Sequence, residues 1–213
     1  MPGKVAGIFT KPYSLSSFRR KLSFQPRIVS GLLVRTFTRM NSSLQKQYDH
    51  LQGDFLSLIS ELDKFNAVKL ETPPAPGKWS VTQVMFHLNQ AESLSVLYVS
   101  KKKLGAAQLG KTGINASLRL LVARIAFYLP VKFNAPNVLG EMPAQVFYPE
   151  IKKNWTETRQ RLHELLNSLK DEELRKPLFK QPTFGRWNIF QMLGFMQTHF
   201  NRHRKQIDRN IAT

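Results

Sequence analysis

The sequence predicts an all-α protein, a four-helix bundle with a long connection between its second and third helices. Three observations carry that expectation. Apolar residues recur at three- and four-residue steps over four separate stretches, the period of a helix that buries one face. Capping residues stand where two of those stretches begin. No stretch alternates apolar and polar side chains as a half-buried strand would. The chain has 213 residues, 42% of them hydrophobic, which is enough for one domain of ordinary size with a tail.

The first helix is expected over about residues 42–66, where Leu44, Tyr48, Leu51, Phe55, Leu58, Leu62 and Phe65 form the stripe and Asp49, Asp54 and Glu61 lie off it. The run Glu71-Thr72-Pro73-Pro74-Ala75-Pro76-Gly77 ends that pattern. Ser80 with Gln83 three residues on makes a capping box, and Trp79 precedes it as a staple onto the first turn. The second helix runs from there to about Lys103, with Lys101, Lys102 and Lys103 favourably placed at the negative end of its dipole. Residues 104–145 form the long connection, rich in Gly and Pro. Its one apolar patch, Leu118 to Leu129, is interrupted by Arg119 and Arg124 and reads as a short helix covering a core edge rather than lying on a membrane.

A third helix is expected over about 147–169 on Tyr148, Ile151, Trp155, Leu162, Leu165, Leu166 and Leu169, with His163 on the surface. An extended piece follows from Pro177 to Arg186. Asn188 then caps a fourth helix over about 189–209. Four long helices with one long crossover describe a bundle.

Residues 1–39 differ from the rest. They carry eight basic residues, many serines and no acid, and they precede the first periodic residue. The short apolar run from Ile28 to Val34 is followed at once by Arg35, so neither a secretory signal nor a bilayer span is expected there. The composition resembles a transit peptide. The preferred reading is a basic extension that is disordered or lies upstream of a natural start at Met40, with the bundle domain over residues 40–213.

The net charge of +18 raises a nucleic-acid role. Beyond residue 39 the excess is scattered, as at Lys152-Lys153 and Arg202-His203-Arg204-Lys205, and no nucleic-acid-binding motif accompanies it. The expectation is a solvated basic surface and no specific nucleic-acid partner. The chain has no cysteine, which excludes disulfides, thiolate zinc sites and a cysteine nucleophile. That composition suits a reducing compartment, and a cytoplasmic location is expected.

Histidine is therefore the residue that can carry metal chemistry. His199 and His203 lie one turn apart on the face that continues Ile189, Met192 and Met196. His87 falls on the line of Val84, Leu88, Ala91 and Leu94. Each could be a core histidine bonded to a carbonyl. Three inward imidazoles on two faces would need several such partners, so a divalent metal bound by three neutral nitrogens, with an open position, is the favoured reading. Gln83, Gln90 and Gln206 are spaced so that they could orient those rings, although glutamines on helix surfaces are common and usually inert. Arg202 and Arg204 flank His203 and could meet a carboxylate. His50 reads as a surface residue. No Ser-His-Asp arrangement, phosphate-cradling glycine loop or paired-carboxylate signature is present.

The segment Gly77 to Glu92, GKWSVTQVMFHLNQAE, resembles the second-helix signature of the DinB-like (DNA-damage-inducible) superfamily. The segment Phe184 to Ile207, with its H-x-x-x-H pair, resembles that family's last helix. The order, spacing and long middle connection fit over about residues 42–209. The resemblance implies a four-helix bundle and a three-histidine metal site, here His87, His199 and His203, often holding zinc or nickel. Some relatives are transferases or isomerases that use a low-molecular-weight thiol. The sulfoxide synthases of the family carry extra domains not seen here.

These readings together predict a divalent-metal protein of bacterial stress response or detoxification. The leading function is a thiol-dependent S-transferase or hydrolase-like enzyme acting on a small-molecule substrate. The alternative is a non-catalytic metal-binding or interaction module, and a homodimer is compatible with either.

Overall fold

A computed structural model describes residues 40–128 and 141–213, all within one unit of the chain. Residues 1–39 and 129–140 lie outside the described residues, and with them the expected extension, Leu129 of the apolar patch and a stretch of the middle connection. Four long helices carry the fold: α1 (Ser42–Leu62), α3 (Val81–Lys103), α5 (Tyr148–Asn167) and α6 (Ile189–Ala212). Two shorter ones, α2 (Ala67–Glu71) and α4 (Ile114–Tyr128), lie between them in the chain. The all-α class and the long second-to-third connection match the expectation.

The helix starts follow from capping chemistry. Asn41 accepts from the backbone of Ser43 and Leu44 at the head of α1. Ser80 and Gln83 form the expected reciprocal box at α3, and Asn188 forms one with Gln191 at α6. The start of α5 has no cap of its own. The Glu71 carboxylate accepts from the Tyr148 N–H at 2.9 Å instead, so the end of α2 caps a helix far along the chain.

Three expectations are corrected. The first helix does not reach residue 66: it ends at Leu62, because Asn66 caps a separate turn of helix by accepting from the Lys69 N–H at 2.8 Å. Leu70 of that turn still reaches the core. The extended piece holds two short antiparallel strands, β1 (Phe179–Gln181) and β2 (Gly185–Trp187), paired Phe179 to Trp187. Gly185 takes φ 87°, the left-handed conformation a glycine adopts without strain, and Gln181 accepts from the N–H groups of Thr183 and Phe184 to close the turn. Alternation over three residues is too short to read as a strand in the sequence. Finally, His163 is half-buried rather than surface, with its ring 5.1 Å from that of Tyr48.

The middle connection contains a fifteen-residue helix, α4, longer than the patch read from the sequence. Its inner face is Ala116, Leu120 and Ala123, packed on the core. The arginines that interrupt the apolar patch are docking residues. Arg119 donates to the Arg186 carbonyl of β2, and Arg124 lies against Gly194 of α6, where a Cβ would stand 2.8 Å from its guanidinium. Thr112 ties the approach to α4 to both the Arg175 carbonyl and Asn188. The outer face keeps Ile114, Leu118, Leu121, Val122 and Ile125 exposed, so α4 covers the core on one side only.

Among the described residues, the bundle interior holds one ionic network. Glu92 on α3 accepts from Arg159 at 2.9 Å and from the Trp155 indole at 2.8 Å, both on α5. Arg159 also donates to the Leu51 carbonyl of α1 at 3.1 Å and lies over the Phe55 ring. Burial pushes the Glu92 carboxyl up, while Arg159 and the indole oppose that shift. Both charged side chains are fully buried. An ion pair of this kind ties three helices at fixed rotation, and removing one partner leaves the other uncompensated. Arg159→Met is expected to cost about 3–5 kcal/mol, read from the urea midpoint, and adding Glu92→Gln is expected to restore part of it because the buried charge goes while the Trp155 acceptor stays. A double variant no more stable than the single one would show that the charge is not what the fold depends on.

Candidate metal centre

The three histidines meet where α3 crosses α6. His87 comes from α3, and His199 and His203 from successive turns of α6. The nearest ring nitrogens of His87 and His199, both Nε2, lie 3.2 Å apart. One ring nitrogen from each of the three lies within 4.8 Å of the others, a group able to hold a metal ion. Two nitrogens bound to one tetrahedral zinc at 2.0–2.1 Å stand about 3.3 Å apart, so the His87–His199 spacing suits two donors on a common ion.

The surroundings orient each ring. His203 Nδ1 lies 2.9 Å from Gln206 Oε1. An amide oxygen only accepts, so Nδ1 carries the proton and Nε2 is left as a donor atom to a metal. Phe195 stacks on His199 at an interplanar angle of 7°, and Trp79 packs against His87 with centroids 5.4 Å apart. Of the three amides singled out in the sequence, Gln206 reaches a histidine. Gln83 is used in the α3 cap and donates to the carbonyls of Pro143 and Ala144. Arg204 is engaged by Glu61 and Asp208. His50 is exposed, 4.0 Å from Asp54.

All three imidazoles are held in their uncharged form. Burial pushes His87 down to about 4, helped by the repulsion that a second protonated ring beside His203 would meet. His199 is pushed well below its ordinary range by burial and by the neighbouring histidines. His203 is lowered by burial, against the opposing effect of the hydrogen bond it donates to Gln206. Neutral imidazole is the form that ligates, so this environment meets a metal's requirement without displacing a proton.

A cavity of about 540 Å³ opens beside the histidines, between α3, β1 and α6. Its walls are mainly apolar, with Leu94 and Tyr98 from α3, Phe179 from β1 and Phe195 from α6. His199 is part of its lining. The histidine group therefore has one side turned to space that a ligand can enter. No local pattern marks this cavity, because its far wall is the hairpin that periodicity does not detect.

The pKa shifts fix the sign of a pH effect on the metal-free protein. An unfolded His87 takes up a proton below its ordinary 6.5, whereas the folded one resists until about 4. Stability is therefore complete above that window and falls as pH drops through it, by roughly 3 kcal/mol for His87 alone. Urea unfolding of metal-free protein across the window measures it, and His87→Gln is expected to flatten the slope. A midpoint that stays level on acidification would contradict the burial of uncharged imidazoles.

The geometry can be set beside known proteins. The DinB superfamily model matches residues 47–207. No curated protein and no solved structure matches the chain. The matched span takes in the body of all four long helices and all three histidines. The chain belongs to the DinB superfamily.

Proposed function

We propose that His87, His199 and His203 bind one divalent metal ion, zinc or nickel, and that the protein uses it as a thiol-dependent S-transferase or related hydrolase-like enzyme. The observation that supports this most is the adjacency of three uncharged imidazoles to a cavity that shares His199 as a wall. A closed structural site has no such space beside it. A divalent ion held by neutral ligands keeps its double positive charge and supplies Lewis acidity toward a water or a small thiol. The protein's own residues do the rest. Gln206 holds the His203 tautomer, Phe195 and Trp79 keep the rings from turning and exclude water, and the cavity positions the substrate.

The transfer proposed is attack of the thiol sulfur on an electrophilic carbon. A carbon–sulfur bond forms, the leaving group departs with its electron pair, and the thiol proton passes to solvent. Detoxification of electrophiles in a bacterial cytoplasm is the setting this chemistry suits. No described helix is long and apolar enough to cross a membrane.

Metal analysis of the purified protein is the decisive test. The expected outcome is about one equivalent of a divalent metal, lost in His199→Ala, and a fall of about 10–100-fold in metal affinity for Gln206→Leu. Trace occupancy after refolding with added ions would remove the metal reading. With metal present, a screen of small thiols against chlorodinitrobenzene is expected to show turnover that His199→Ala lacks.

A second reading, a metal-binding interaction module that acts as a homodimer, has one observation of its own: the exposed aliphatic face of α4. It is favoured if metal-loaded protein shows no thiol-dependent turnover and a dimer in solution is broken by Leu118→Glu.

A further inference from the structure

We infer that the cavity beside the histidines takes an elongated amphiphile, an apolar chain or aromatic body lying along α3 and ending in an anionic group held by Lys101 and Lys180. The shape comes from α3. Ala91, Leu94, Tyr98 and Lys101 lie on one face of it and all line the cavity. From Ala91 to Lys101 the helix advances roughly 15 Å. His199 marks the Ala91 end, because its Nε2 touches that of His87, one turn before Ala91. Lys101 marks the other end, and Lys180 of β1 lines the same cavity near it, since its neighbour Phe179 meets Tyr98, one turn before Lys101, with ring centroids 6.4 Å apart.

The walls between these ends have little polar capacity to offer. The Ser95 hydroxyl donates to the Ala91 carbonyl at 2.7 Å. The Gln181 side-chain oxygen already accepts two backbone N–H groups of the β-turn, both at 2.6 Å. Phe179 and Phe195 add ring surface. A ligand body here is desolvated against carbon, and only an apolar one gains from that.

The lysine end differs. Both ammonium groups sit on exposed residues, and neither has an ion-pair partner among the described residues. No carboxylate lines the cavity. The sequence holds no Asp or Glu between Glu92 and Glu141, so the rest of α3 and the whole of α4 bring none to this side. Two unneutralised cations at the mouth of an apolar slot select a terminal carboxylate, sulfonate or phosphate over a neutral or cationic end. That the opposite end of the ligand carries the reacting atom rests on the function proposed above. The binding itself does not.

The test is calorimetric titration with dodecanoate, dodecanol and dodecylammonium. Metal-free protein is used first, where no bound ion competes for the carboxylate, and metal-loaded protein second. Dodecanoate is expected to bind at one site, with dodecanol about three- to tenfold weaker and dodecylammonium weaker still. The Lys101→Gln/Lys180→Gln double variant, altered only at exposed positions, is expected to bring dodecanoate down to the level of dodecanol. Leu94→Trp is expected to weaken all three by filling the slot. Equal affinity for dodecanoate and dodecanol overturns the inference, as does a double variant that keeps the preference, uptake of many molecules per chain, or no binding to metal-free protein. The two readings fail separately: trace metal content with selective dodecanoate binding removes the metal function and leaves the amphiphile site, and full metal occupancy without that selectivity does the reverse.

Discussion

Keeping three imidazoles uncharged inside the bundle is the constraint on which the rest of the structure depends. A protonated ring there would be a charge without water, so the surroundings must make the neutral form the stable one. Rings of Trp79 and Phe195 do this from the sides, and the histidines do it to one another. The positions of the rings are set by helix phase. His87 lies about two turns past the capping box at Ser80, and His199 about three turns past the one at Asn188. Each box fixes where its helix begins, and so which way its histidine points. Trp79, next to the first cap, also packs on His87, so the start of α3 and the histidine group are coupled locally.

The second device that fixes α3 is the ionic network. Leu88, Glu92, Val96 and Val99 form its core line, while His87, Ala91, Leu94 and Tyr98 form a neighbouring line toward the cavity. The Glu92 contacts with Arg159 and Trp155 set the rotation of the helix from the core side. A rotation that broke them would also turn His87 from α6. A buried ion pair is poor stabilisation compared with apolar packing, but it is specific about geometry. Here the line beside the network carries His87 and a wall of the cavity. That gives the specificity a use.

Legibility in the sequence followed the range of the interactions. The four long helices could be read because amphipathic period and caps are local: Ser80 with Gln83 and Asn188 with Gln191 are written within four residues of each other. The three histidines could be read because each falls on an inward stripe, and the structure brings them together. Glu92 carries no such mark, although its place between Leu88 and Val96 is inward, because a carboxylate on a helix reads as solvent-facing until its partner is known. That partner lies more than sixty residues away. The break after Leu62 was hidden because Phe65 and Leu70 continue the apolar pattern through a change of direction. The Glu71 cap of α5, the arginines that dock α4 and the hairpin wall of the cavity are all long-range contacts with no local mark.

Desolvation and access make opposing demands on such a site. His199 is held uncharged by burial, yet it forms part of a cavity wall. The two agree because the cavity is itself apolar. Leu94, Phe179 and Phe195 carry the low-dielectric surroundings of the imidazoles outward along α3, so a route to the histidines need not be a route for bulk water. An apolar ligand body filling that route would expel what water it holds and strengthen every electrostatic interaction at its inner end. The lysines stand at the other end, a helix span away, where their charge can meet a ligand close to solvent rather than beside the imidazoles. Separation along a single helix face thus lets one slot hold neutral imidazoles at one end and unneutralised cations at the other.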